Sequence, residues 1–371
     1  MRKRPAASSA SESPAALKAK PAAATNGSHC RDLAKLPKAE LHIHLEGAMR
    51  PETLTDLCQR HGIERPADTR GRRFPNFGAF AATYIAACEC LREESDVQRL
   101  VLEVAEDAAA SGALWVEPAL SLRFYAERLG GYAATLGILL RAAEVAEEAT
   151  GVGMGFIVSG ERHLPVAEAE ELAGVVRDLV ERGAAQINGR LGIVGFGLHA
   201  DETGNPPEPF GEAFKIACAD GVVALPHAGE LEASTGDGFA SVRFCADGLG
   251  AKRIAHGVLA AGDEALLDHL AAKDICLDVC PSSNYLLSVV DSLAEHPLQR
   301  LLLAGVPCTV NSDDPLLFGC SLLSEYTACR EEMGLSDDAL ATCARTSFAH
   351  SRAPAAVVAR GLAGVDAWLA S

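Results

Sequence analysis

The residues best suited to chemistry in this chain are imidazoles and carboxylates. His42-Ile43-His44 places two imidazoles two residues apart, and on a β-strand such residues face the same side. Two neutral imidazoles on one face are a ready pair of metal ligands, although alone the pattern also describes two structural histidines bonded to backbone. Further along stand His227 in Pro226-His227-Ala228-Gly229-Glu230, His256 in Ala255-His256-Gly257, and the acid pair Asp313-Asp314 before Pro315. If these converge, three or four imidazoles and a carboxylate pair meet in one place. Without a metal, such a cluster leaves several buried polar groups in need of partners. The nitrogen and carboxylate set suits zinc, with iron, cobalt and manganese as alternatives. A single zinc lowers the pKa of its bound water to about 7 and supplies hydroxide at neutral pH. Glu230, three residues past His227, is the candidate general acid/base; its other reading is a carboxylate in the first turn of a helix. His256 is the candidate to hold or deprotonate the water.

Convergence needs a scaffold that brings these positions together. Eight short apolar runs punctuate the chain: Ala39–Ile43, Ala113–Val116, Gly153–Val158, Gly192–Leu198, Val222–Leu225, Arg253–Ala255, Ile275–Val279 and Pro307–Val310. Each is followed by polar residues and then by a helical pattern such as Val166–Leu179 or Asp263–Ala272. Strands alternating with helices indicate a parallel sheet, and eight such units predict an α/β (β/α)8 TIM barrel. A doubly wound sheet fits the alternation too, but no glycine-rich G-x-G-x-x-G turn follows the first strand. The polar residues cluster at the C-terminal ends of runs one, five, six and eight, where barrel enzymes place their sites. The fourth run ends Gly197-Leu198-His199, without a lysine that could bridge two ions, so one metal is expected. The connection from Glu46 to Leu114 predicts a helical insertion over the mouth. It contains two helical patterns: one from Pro51 over Thr53–His61, the other carrying Phe74, Phe77, Phe80 and Tyr84. The segment from Ser336 to Ser371 predicts closing helices, with Ser336 as an N-cap.

Composition narrows the partners. The net charge is −17, and the body is more acidic still, because the first thirty residues carry Arg2, Lys3, Arg4, Lys18 and Lys20 against Glu12 alone. An acidic body repels phosphate backbones, so nucleic acid is not an expected partner. No apolar run is long enough to span a membrane. Twelve cysteines without a C-x-x-C pair or an apolar signal segment point to small buried hydrophobes in a reducing compartment, not a disulfide framework. A cytoplasmic location is expected. Residues 1–30, rich in Ala, Ser and Pro, predict a disordered tail, with organelle import as an alternative role; residues 31–371 form the predicted barrel domain.

Five stretches resemble the adenosine/adenine deaminase family in order and spacing. They are Leu36 to Gly47, Pro226 to Glu230, Ala255 to Gly257, Cys280-Pro281-Ser282-Ser283-Asn284, and Asn311 to Pro315, spread over roughly residues 36–350. The resemblance implies hydrolytic deamination of an adenine-type purine, adenosine or 2′-deoxyadenosine, with adenine or a modified adenine compound as the alternative. It implies that His42, His44, His227 and Asp313 bind one zinc, that Glu230 protonates the ring at N1, and that His256 orients the attacking hydroxide. Asp314 would bond at N7 and a backbone N–H near Ala200 at N3; His44 and Glu46 would also touch substrate. Two positions depart from the family pattern. Glu46 stands where adenosine-specific members usually have Asp at a ribose hydroxyl, and His199-Ala200-Asp201-Glu202 replaces a Gly-Asp-Glu run. A metal amidohydrolase acting on amides and a non-catalytic nucleoside-binding protein are the competing readings.

Overall fold

The computed structural model describes residues 31–232 and 236–371; the tail expected over 1–30 lies outside them. Eight parallel strands form the centre. They are β1 (Lys38–His44), β2 (Ala113–Leu120), β3 (Gly153–Met154 with Phe156–Glu161) and β4 (Ile193–His199). Then come β5 (Val223–Ala224 with His227–Ala228), β6 (Arg253–His256), β7 (Cys276–Val279) and β8 (Cys308–Val310). Each pairs in parallel with the next. Pro226 splits β5, since it has no N–H to give the ladder. Its carbonyl and the Leu225 amide keep the two flanking strands attached, through Ala255 N (3.0 Å) and Phe196 O (2.9 Å).

The ring closes between β8 and β1. Ile43 bridges Asp313, His44 N donates to Asp313 O at 2.9 Å, and Asp313 N donates to His42 O at 3.1 Å. The (β/α)8 barrel expected from the alternating pattern is therefore present and closed. Every residue of β1 and β4 is buried, as strands sheathed by helices must be. The interior also holds charge. Arg253 lies between Glu117 (2.6 Å) and Asp278 (2.5 Å), and Glu117 also accepts from the Trp115 indole at 2.8 Å. A buried guanidinium is tolerable only with such paired partners.

The connection after β1 differs from expectation by one element. It holds three helices, α1 (Pro51–His61), α2 (Phe77–Cys88) and α3 (Glu94–Ala110), not two. A capping box between Glu93 and Asp96 starts α3. Phe74 precedes α2 instead of lying on it, yet joins its aromatic stripe: its ring meets Phe80 edge-on at 5.5 Å, while Phe80 stacks on Phe318. The closing helices are Asp337–Ala349, capped by Ser336, and Ala355–Ala370. No helix among the described residues is long and apolar enough to cross a membrane. The described cysteines are all free.

Candidate active site

His42 and His44 end β1 on one face, His227 opens the second half of β5, His256 ends β6, and Asp313 follows β8. The barrel brings their side chains together. His42 Nε2 and His44 Nε2 each lie 3.3 Å from Asp313 Oδ1, and His227 Nε2 lies 3.2 Å from His44 Nε2. Donors set tetrahedrally ~2.0–2.1 Å from a zinc ion would lie roughly 3.3 Å apart, which these three separations match, and the ligand atoms of His42, His44 and His227 all lie within 4.8 Å of one another. His42 makes the tautomer explicit. Its Nδ1 donates to Asp278 O at 2.9 Å, which leaves a lone pair on Nε2, and that atom is buried with no hydrogen-bond partner. Cys280 Sγ also approaches this histidine, but at Nδ1, the nitrogen turned away from the other donors. Burial pushes the Asp313 carboxyl up, but the His42 and His44 imidazoles outweigh it and hold Asp313 well below the usual range, ionised as a metal ligand must be.

Asp313 and His256 adopt left-handed backbone conformations, with φ of 61° at each. That geometry is costly for residues other than glycine and is retained where the fold overdetermines it. It turns both side chains inward. His256 Nε2 faces Glu230 Oε1 at 3.5 Å. Behind it, His296 donates to Asn284 Oδ1 at 3.0 Å, and Asn284 Nδ2 approaches His256 Nδ1 at 3.5 Å. This chain leaves the His256 proton on Nε2, aimed at the cavity. It also accounts for the asparagine of the Cys280–Asn284 stretch.

Glu230 starts no helix; the next helix begins at Asp237. Its backbone is held instead by Glu202, whose carboxylate accepts from the amides of Gly229 (2.9 Å), Glu230 (3.0 Å) and Leu231 (3.2 Å). Burial, together with the charges of Asp313 and Glu202, pushes the Glu230 carboxyl well above its ordinary range, and its Oε1 is buried without a hydrogen bond. Burial and neighbouring carboxylates both favour the protonated form of such a carboxyl. Asp314 is similar: burial and the adjacent Asp313 raise it, and its Oδ1 has no partner. Gly47 makes room for it, since a Cβ there would lie 1.7 Å from that oxygen.

One cavity of about 240 Å³ joins these groups. His44, His227, Glu230, His256, Asp313 and Asp314 form its floor, Ala200 one wall, and Phe77, Phe80 and Tyr84 its roof. The aromatic stripe is thus both packed on the rim and a cover. Two of the expected residues, His42 and Glu46, do not line the cavity: His42 lies beneath its floor against His44 and Asp313, and Glu46 stands apart. Glu46 is fully buried, accepting from Tyr84 Oη at 2.8 Å and Ser121 N at 3.1 Å, behind the Tyr84 ring. Both oxygens of the longer side chain are engaged by these donors. Sequence reasoning passed over Glu202 and Glu161. Glu161 ends β3, lines the cavity and receives a 2.7 Å bond from His199 Nε2.

The adenosine deaminase family profile matches residues 37–368. The chain belongs to that family. It is therefore a hydrolytic enzyme of a metal-dependent group. A Streptomyces coelicolor protein provisionally named adenosine/adenine deaminase is 42% identical over 91% of this chain and 98% of its own length. An adenine deaminase of Sphingopyxis alaskensis is 35% identical over 91% and 96%. The crystal structure of an adenine deaminase from Arthrobacter aurescens superposes with a TM-score of 0.80 at 30% identity, covering 90% of this chain and 99% of that one. The Glu202, Glu161 and Gly47 contacts described above thus belong to a deaminase-family barrel.

Proposed function

We propose that the protein removes the exocyclic amine of an adenine-type purine nucleoside, adenosine or 2′-deoxyadenosine, by hydrolysis. The observation that carries this reading is one cavity lined by His44, His227 and Asp313, with His42 3.3 Å from Asp313 behind them, where a Glu230 oxygen and an Asp314 oxygen are buried without partners. His42, His44, His227 and Asp313 would hold one zinc. When bound, it supplies a water nucleophile ionised at neutral pH. Glu230 delivers its proton to ring N1, which makes C6 electrophilic; a C6–O bond to the water oxygen forms, the C6–N bond breaks, and of the two protons of that water one replaces the proton Glu230 gave to N1 and the other leaves on the amine as ammonia. His256 holds the nucleophile in line through Nε2–H. Asp314, kept neutral by burial, donates to N7 and fixes which edge of the ring faces the floor. The amide of Ala200 (φ 73°) meets N3.

Space past Ala200 toward Glu161 and His163 accommodates a substituent on N9, which favours a nucleoside. The burial of Glu46 favours the second reading, free adenine, because both of its oxygens are already engaged. The test is the fall in purine ultraviolet absorbance with adenosine, 2′-deoxyadenosine, adenine and N6-methyl-AMP side by side. Turnover should be highest with one of the first two. Ammonia release from none of the four would overturn the proposal.

A further inference from the structure

With Glu46 walled off, a different set of side chains faces the far end of the cavity. Ser121 follows β2, Glu161 ends β3 and His199 ends β4, so neighbouring strands place them side by side. All three are buried and all three line the cavity. His199 Nε2 lies 2.7 Å from Glu161 Oε1 and 3.3 Å from Ser121 Oγ, so its proton is committed to that side. Its Nδ1 is buried without a hydrogen-bond partner. Glu161 spends one oxygen on His199 and keeps the other. Burial alone would raise this carboxyl, but the His199 imidazole outweighs it and holds Glu161 below its ordinary range. Glu161 therefore presents a carboxylate acceptor to the cavity beside the unpartnered ring nitrogen of His199.

The purine orientation proposed above fixes what would stand there. With N1 at Glu230 on the β5 side, N7 at Asp314 after β8 and N3 at Ala200 after β4, N9 lies beside N3 and away from the metal donors. The ends of β2, β3 and β4 then face the N9 side. No Lys or Arg is among the described residues lining the cavity. The guanidinium of Arg162, the residue after Glu161, is bonded to the carbonyls of Asn205 and His227. We infer that Glu161 and His199 are the specificity-determining pair of this enzyme, accepting hydrogen bonds from donors on the N9 side of the substrate and repelling an anion placed there. This rests on the proposed function. The donors have two sources, the hydroxyls of a sugar or the N9–H of a free base.

The test compares zinc-loaded wild type, Glu161→Gln and Glu161→Leu on adenosine, adenine and 9-methyladenine, which has no donor on that side. Glu161→Leu should lower kcat/KM at least tenfold for the donor-bearing substrate the wild type prefers, and Glu161→Gln by less. With 9-methyladenine all three proteins should agree within about twofold. Loss confined to adenosine assigns the pair to sugar hydroxyls, and loss confined to adenine assigns it to N9–H. Glu161→Gln should also narrow the wild-type preference for adenosine over AMP. A uniform fall on all three substrates, 9-methyladenine included, marks a structural role and overturns the inference, as does unchanged kcat/KM throughout. Wild-type protein that deaminates none of them overturns the proposed function and this inference with it. Zinc content and Tm of each variant separate misfolding from altered recognition, and His199→Gln, which keeps the acceptors of Glu161 but frees them from the ring, should reproduce the selective loss in a second background.

Discussion

The proposed role of Glu230 depends on its carrying a proton, and burial next to Asp313 and Glu202 raises its pKa in that direction. Glu230→Gln preserves its shape and removes the transferable proton. Turnover should fall by about 10²–10⁴, the usual share of a general acid/base, while zinc content stays at the wild-type level. Near-normal turnover in that variant would remove Glu230 from the chemistry. The main residues of the site were legible because each sits at a strand end and has a side chain with few other uses there. His42 and His44 share a face by the period of a strand, and His227, His256 and Asp313 close later runs. The direction in which Glu46 points was not legible. It is set by Tyr84 from α2 and the Ser121 amide after β2, and those partners meet it only in the folded chain. Glu202 and Glu161 were hidden for a related reason. A lone carboxylate after a strand reads as a solvated loop residue, and only the backbone amides of residues 229–231 or the ring of His199 give it a role.

At the scale of elements, the eight strands followed from apolar runs of the right length, and the helices from their amphipathic pattern. The third helix of the first connection was missed because it is charged along much of its length, although Glu93 and Asp96 mark its start. The helix Leu322–Glu331 shows what an element can hold in place. Its Glu325 is 1% exposed, accepts from Ser282 N at 3.0 Å, and so pins the turn that begins the Cys280–Asn284 stretch. Burial pushes its pKa up to about 7 from 4.5. The folded protein therefore keeps this proton between about pH 4.5 and 7 while the unfolded chain has lost it. Stability falls as pH rises through that window, by on the order of 3 kcal/mol for this group. Glu325→Gln imitates the protonated form. Its Tm should match wild type near pH 5 and exceed it at pH 8. An equal Tm at pH 8, in zinc-loaded protein, would show that the buried charge costs nothing. Glu40, also raised to about 7, acts in the same direction, so the variant flattens the pH dependence without abolishing it.

At the scale of the molecule, the seam between β8 and β1 is made by the backbone of the same residues whose side chains face the metal site. A cation held by His42, His44 and Asp313 would bridge the two strands, so removing it should loosen the closure first. Chelation should lower Tm and zinc should restore it, since a ligand of the folded state alone stabilises it by mass action. Amide exchange should rise most in residues 41–45 and 309–315. Uniform exchange across the barrel, with and without metal, would show that side-chain coordination and closure are independent. The seam also has a consequence for how the protein is made. Leu41 N is held by Asn311 Oδ1 at 2.8 Å across 270 positions of sequence, a contact that only a chain synthesised past residue 311 can form. Until residue 313 has left the ribosome, the first strand has no partner on one side, β7 is an open edge prone to pairing with other chains, and the anionic donor does not exist. A fragment ending before residue 313 carries three of the histidines but neither the segment that closes the ring nor the carboxylate, so ring closure and the proposed cation site wait on the same residues.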